Sequence, residues 1–323
     1  MTRILLFASF LLIAVTGIAQ NKTDAQGRKQ GPWSKNHPNG QKRYEGQFIN
    51  DKPTGTFTYY DPSGKLSNTV QHVGNDVSYA KSFNAAGTVV SEGKYIGQQK
   101  DSVWNFYNEQ GKLLSAETYV KGDKTGIQKV FYSNGTLSTE QHYLKGKLDG
   151  AVISYFENGK TQSENHFVND QISGVSKTYY LNGTLKDEGP YLAAMRNGVW
   201  KYYNEDGSLR QEIEYKNDVI VREKRVNGQF EEFFDTELPK AAYQYKNGKL
   251  DGPFFEYQDG GSWDYVEKKD RRSEETNTYR VPKNHKLKRK GSYLNGQLNG
   301  KIEVYGPNGF VVKTENYVNG ELK

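Results

Sequence analysis

The chain has 323 residues, 34% of them hydrophobic, and a formal charge of +6. A mean hydropathy of −0.88 would suit a disordered chain, but 24 tyrosines and an aromatic share of 13% exclude that class, because disordered segments lack aromatics. No cysteine is present, so disulfides and lipid attachment at a lipobox are excluded too.

The first 19 residues differ from all that follow. Arg3 gives a short positive start, Ile4 to Val15 an apolar run, and Gly17 and Ala19 the small residues ahead of a cut. This is the pattern of a secretory signal peptide, too short for a membrane span. Cleavage after Ala19 would leave Gln20 first and, by removing Arg3, lower the charge from +6 to +5. The expectation is an exported protein, periplasmic, cell-surface or secreted; a membrane-tethering helix is the alternative. Export without disulfides fits a bacterial chain. Residues 20–30 read as a linker.

From residue 31 to 323 the chain repeats itself about every 24 residues. Gly40, Gly64, Gly87, Gly111, Gly135, Gly159, Gly183 and Gly207 mark one point of the period. An aromatic follows eight positions later at Phe48, Tyr95, Tyr119, Tyr143, Phe167, Tyr191 and Tyr215, with His72 as the substitute. Gly174–Tyr180 is rich in β-branched and aromatic residues and predicts a strand. Asn182-Gly183 predicts a hairpin corner, because both residues tolerate positive φ, Thr184–Leu192 a returning strand, and Arg196-Asn197-Gly198 the turn into the next unit. Corners such as Asp61-Pro62-Ser63-Gly64 read as one residue longer. The fold class is therefore all-β: an elongated array of antiparallel β-hairpins, advancing about 10 Å per unit.

Two stretches interrupt the period, near residues 218–227 and 262–290. The first adds Val219-Ile220-Val221-Arg222 and Lys224-Arg225. Within the second, Glu267 to Glu275 reads as a solvated loop. The stretch Tyr44-Glu45-Gly46-Gln47-Phe48, followed by Gly55-Thr56-Phe57, resembles the MORN pattern, as does Lys290-Gly291-Ser292-Tyr293. The aromatic pair with an Asn-Gly corner, as in Tyr155-Phe156-Glu157-Asn158-Gly159, is similar to the bacterial MORN repeat variant, grouped with YwqK-like antitoxin proteins. That resemblance implies a MORN-like meander or solenoid and an antitoxin or immunity role.

Chemistry is sparse. His142 and His166 recur at one position of neighbouring units, too far apart to share a metal. His72 takes a packing position, and His37 and His285 sit in turn or basic contexts. Glu45, Glu92, Glu140, Glu164, Glu188 and Glu212 form a column of identical residues, expected to pair with lysines rather than act as acid and base. No nucleophile elbow or phosphate loop occurs. No enzymatic activity, metal or cofactor is expected.

The candidate binding or ladder aromatics are Tyr95, Tyr119, Tyr143, Phe167, Tyr191 and Tyr215. The candidate anion contacts are Lys283, Lys286, Lys288, Arg289 and Lys290. The leading expectation is a scaffold that binds a protein partner through Tyr-rich strands. An envelope glycan or anionic lipid surface is the alternative. A third reading is an enzymatic pocket built by the irregular 253–290 region, for which no constellation is visible there, and a fourth is a pure spacer; nucleic acid is not expected. The repeat sets no oligomeric state.

Overall fold

The computed structural model describes residues 21–269 and 276–323, and none of these is helical. The expected signal segment 1–19, and residues 270–275 of the expected loop, lie outside the described residues. The chain divides into two compact units, residues 1–150 with 157–159, and residues 151–156 with 160–323.

The first unit is an antiparallel meander from Lys29–Asn36 to Leu137–Leu144, each strand pairing with the next. Of the expected linker 20–30, the described residues 21–30 join the sheet. Lys22–Thr23 turns back at Asp24–Gly27 and pairs with Lys29 and Gln30. Asp24 drives this, its Oδ1 accepting from the backbone N–H groups of Gln26 and Arg28.

The second unit carries two meanders. One runs from Thr161–Val168 to Val219–Arg225, the other from Gly228–Phe233 to Glu321–Leu322. The segment near 218–227 is a full strand, Val219–Arg225, paired with Leu209–Lys216. Three consecutive β-branched residues favour extended backbone there. The loop expected from Glu267 is also partly strand. Ser262–Lys269 and Thr276–Lys283 form a two-stranded hairpin, inserted between Lys249–Tyr257 and Leu287–Leu294, which pair directly.

Two kinds of turn alternate. At the hairpin corners Asn39-Gly40, Asn134-Gly135, Asn158-Gly159, Asn182-Gly183 and Asn308-Gly309 only glycine has positive φ, for example Gly183 at 93°. At the turns between units Asn247-Gly248, Asn295-Gly296 and Asn319-Gly320 both residues do. Gly183 N–H donates to Tyr180 O at 2.8 Å and Tyr180 N–H to Thr184 O at 2.8 Å, which is a type I turn closed by a glycine bulge. The corners read as longer are the same turn: Gly64 N–H donates to Asp61 O, and Asp61 N–H to Lys65 O. The turn into the next unit lies at Ala193-Ala194, with φ of 50° and 63°, rather than at Arg196–Gly198. Asn50-Asp51, Asn169-Asp170 and Asn217-Asp218 repeat that geometry, with both residues left-handed.

Packing concentrates on one face. Phe57, Trp104, Trp200 and Ile302 are buried, and each covers a glycine of the preceding strand. A Cβ built on Gly46, Gly93, Gly189 or Gly291 would fall inside the covering side chain. The Tyr-x-Gly-x-aromatic spacing is thus a steric slot. Where the large residue is absent, hydrogen bonds fill the space. Buried Gln128 accepts from Thr118 N–H at 2.8 Å and donates to Thr118 O and Thr125 O. Ser176 Oγ donates to Asn165 Oδ1 at 2.6 Å.

Candidate interaction surfaces

The ladder aromatics lie on the packed face. Tyr119 and Tyr215 are buried; Tyr95, Tyr143, Phe167 and Tyr191 are half-buried. Tyr95 meets Trp104 edge-on at 4.8 Å between centroids, and Tyr191 meets Trp200 at 5.1 Å. Such pairs contribute about 0.5–1.5 kcal/mol beyond their buried area. Lys100 Nζ lies 5.0 Å from the Tyr119 ring centre, Lys124 Nζ 5.6 Å from that of Tyr143, and the Arg196 guanidinium 4.0 Å from that of Tyr215. These rings are occupied by packing. His72 packs likewise, edge-on to Phe57 at 5.3 Å, and burial pushes its imidazole pKa down.

The opposite face carries the carboxylate column. A tyrosine fifteen residues downstream donates to the column glutamate: Tyr60 to Glu45 at 2.7 Å, Tyr107 to Glu92 at 2.6 Å, Tyr179 to Glu164 at 3.1 Å and Tyr203 to Glu188 at 2.9 Å. The bulge in each strand, as between Tyr202 and Tyr203, delivers that second tyrosine to this face. Lysines complete the row, with Lys42 at 2.7 Å from Glu45, Lys81 at 3.0 Å from Glu92 and Lys129 at 3.2 Å from Glu140. The Lys42 and Tyr60 hydrogen bonds hold the Glu45 carboxyl low, and those from Tyr107 and Lys81 do the same for Glu92. Burial and the Glu188 carboxylate push the Tyr203 phenol up to about 12. A general acid needs a raised carboxyl pKa, the reverse of this arrangement.

The basic cluster is mostly engaged. Lys283 pairs with Asp264 at 2.9 Å, Arg289 with Glu256 at 3.7 Å and Lys290 with Glu303 at 2.9 Å, while Lys286 donates to Pro307 O at 2.7 Å. Lys288 alone of the five has no partner among the described residues. His37 bonds the Tyr60 carbonyl, and His285 bridges the carbonyls of Gly260 and Pro239. Among the described residues no three His, Asp or Glu side chains converge as metal ligands.

Two surfaces escaped the sequence reading. The first is a groove of about 680 Å³ in the first unit, on the face carrying Glu92 and centred on Tyr79. Tyr79 lies outside the ladder register, at the position taken by Thr56 and Val103 in adjacent units. The second is the outer edge of Val219–Arg225, which among the described residues pairs with Leu209–Lys216 alone. Three β-branched residues in a row were its visible signal.

The repeat itself identifies the architecture. Six of its units match the MORN repeat variant. The matches cover residues 29–50, 53–73, 124–145, 148–169, 172–193 and 196–217. The matches leave out residues 74–123, which include Tyr79, and 218–323, which include the Val219–Arg225 strand and the inserted hairpin. No curated protein matches the chain. Among solved structures, a mutant of S. aureus TarM in complex with fondaparinux, alpha-GlcNAc-glycerol and UDP is 14% identical, over 29% of this chain and 19% of that one, with a TM-score of 0.24. A TcdB2-TccC3-TEV structure is 12% identical over 94% of this chain and 17% of that one, with a TM-score of 0.19. A porin-like protein from Bacteroides uniformis is 10% identical over 79% and 94%, with a TM-score of 0.17. The chain thus spans less than a fifth of the first two chains, and scores this low assign it neither fold nor function.

Proposed function

We propose that the protein is an exported, non-enzymatic MORN-variant scaffold that binds a partner protein by strand addition. One observation carries this reading: among the described residues Val219–Arg225 has one edge with no strand partner, and Val219, Ile220 and Val221 are exposed at 67%, 55% and 60%. An open edge offers backbone donors and acceptors to an extended segment, and flanking apolar side chains select it. Arg222 and Lys224 face Glu214 and Glu212 at 3.1 Å each, leaving the three apolar side chains as the recognition element. The N-terminal signal pattern supports export, and the resemblance to YwqK-like antitoxins makes a toxin the first partner to seek.

The test is in-cell cross-linking of the tagged full chain in its host envelope, with captured proteins identified by mass spectrometry. Hydrogen exchange on the purified complex then locates the contact. One dominant protein that protects the amides of Val219–Arg225, and is lost in a Val219→Lys/Val221→Lys variant, is the expected result. Capture that survives this variant, or recovery of cell-wall or lipid material alone, rejects strand addition.

A further inference from the structure

The groove around Tyr79 has no place in the partner reading, and its floor is unusually ordered. Two rows of side chains cross it. Thr56, Gln71, Tyr79 and Lys94 are directly opposite one another on four successive strands, and Thr69, Lys81, Glu92 and Asn105 form the parallel row two residues along. Tyr79 stands 51% exposed. Its hydroxyl, those of Thr56 and Thr69, and the Gln71 amide have no hydrogen-bond partner among the described residues. The nearby Tyr60 and Tyr107 hydroxyls, by contrast, are held by Glu45 and Glu92. The groove therefore offers one bare aromatic face amid unused hydroxyl and amide groups.

Charge narrows the ligand class. Lys81 is neutralised by Glu92 at 3.0 Å and Lys94 by Asp101 at 3.4 Å, so little positive potential remains for a phosphate. Tyr79 and Val103 are the large apolar side chains of the lining, set among threonine, glutamine, asparagine and paired charged groups rather than in a continuous apolar wall. Alternating hydroxyl donors and acceptors beside apolar C–H faces are the chemistry that fits, and that is the surface of a pyranose ring. Strands recur roughly every 4.8 Å, close to the advance of one sugar along a linear glycan.

We propose that this groove binds a neutral linear oligosaccharide of about three sugars across the strands, one ring stacked on Tyr79 and its hydroxyls bonded to Gln71, Thr56 and Thr69. The Lys81–Glu92 ion pair, and Lys94 held by Asp101, are the charged part of its floor. The site is independent of the partner edge: it lies in the first unit, and Val219–Arg225 in the second.

The test is a titration of the full chain with cellotriose, chitotriose and maltotriose, followed by isothermal calorimetry and by saturation-transfer NMR of the sugar protons. Saturable binding of at least one trisaccharide is expected, with an affinity loss of about tenfold in Tyr79→Ala and a smaller loss in Tyr79→Phe. Gln71→Ala is expected to weaken binding with the stacking signal retained. Since Tyr79 is exposed, neither tyrosine variant disturbs the packed face; unchanged circular dichroism checks this. Absence of binding by all three sugars overturns the proposal. So does binding unchanged in Tyr79→Ala, or competition at the groove by inorganic phosphate or by an unstructured peptide. None of these results bears on capture at Val219–Arg225, so the two readings fail separately.

Discussion

At the scale of single residues, stability depends on matched sizes across neighbouring strands. Gly189 leaves the room that Trp200 fills, and Trp200 Nε1 donates to Pro190 O at 3.1 Å. Gly189→Ala puts a methyl into that ring, an overpacking that costs about 1–3 kcal/mol. Ala194 is the opposite case. It holds φ of 63° in a turn where other units place glycine or aspartate. A left-handed residue with a Cβ costs roughly 1–2 kcal/mol, while glycine adds about 0.5–1 kcal/mol of unfolded-chain entropy. Ala194→Gly is therefore expected to stabilise by about 0.5–1 kcal/mol, read as a higher denaturant midpoint. The glycine and aromatic registers could be read from the sequence. That the ladder rings are occupied by packing could not, because a periodic tyrosine looks alike on either face until the bulge positions are known.

At the scale of elements, the hairpin of Gly300–Tyr305 with Val311–Val318 departs from the column in an informative way. Lys290 stands where other units carry the glutamate, and Glu303 answers it. Hydrogen bonds from Lys301, Lys290 and Tyr305 hold the Glu303 carboxyl down to about 2, against an ordinary 4.5. A folded pKa below the unfolded one means the stabilisation is complete above about 4.5 and is lost as pH falls through about 2. This hairpin is expected to loosen in that acid window, followed by NMR of Glu303 and its neighbours. In Glu303→Gln the loosening should be absent, and a window unchanged by that substitution would refute the assignment. Strand identity was legible wherever β-branched and aromatic residues recurred. The turns were misread because Asn-Gly serves two geometries, and the choice between them rests on the number of residues spanned by the closing hydrogen bonds. Glu267–Lys269 looked solvated by charge alone, yet pairing with Thr276–Thr278 makes it strand.

At the scale of the whole molecule, the array has no central core, and each strand is stabilised chiefly by its two neighbours. A local lesion should stay local. Gly189→Ala is expected to raise amide exchange in Gly174–Tyr179 through Leu209–Lys216 and leave Lys42–Ile49 through Val89–Ile96 unchanged. Uniform acceleration over both stretches would mean a single cooperative unit instead. The sequence by itself determined the all-β class, the period and the position of each turn glycine, because these follow from local backbone preference and steric spacing. Only the tertiary structure decided which tyrosines are spent on packing, that residues 218–227 form a strand with an open edge, and that Tyr79 shares a groove floor with Gln71 and Lys94. Those facts depend on register between strands, and a one-residue bulge moves a side chain from one face to the other.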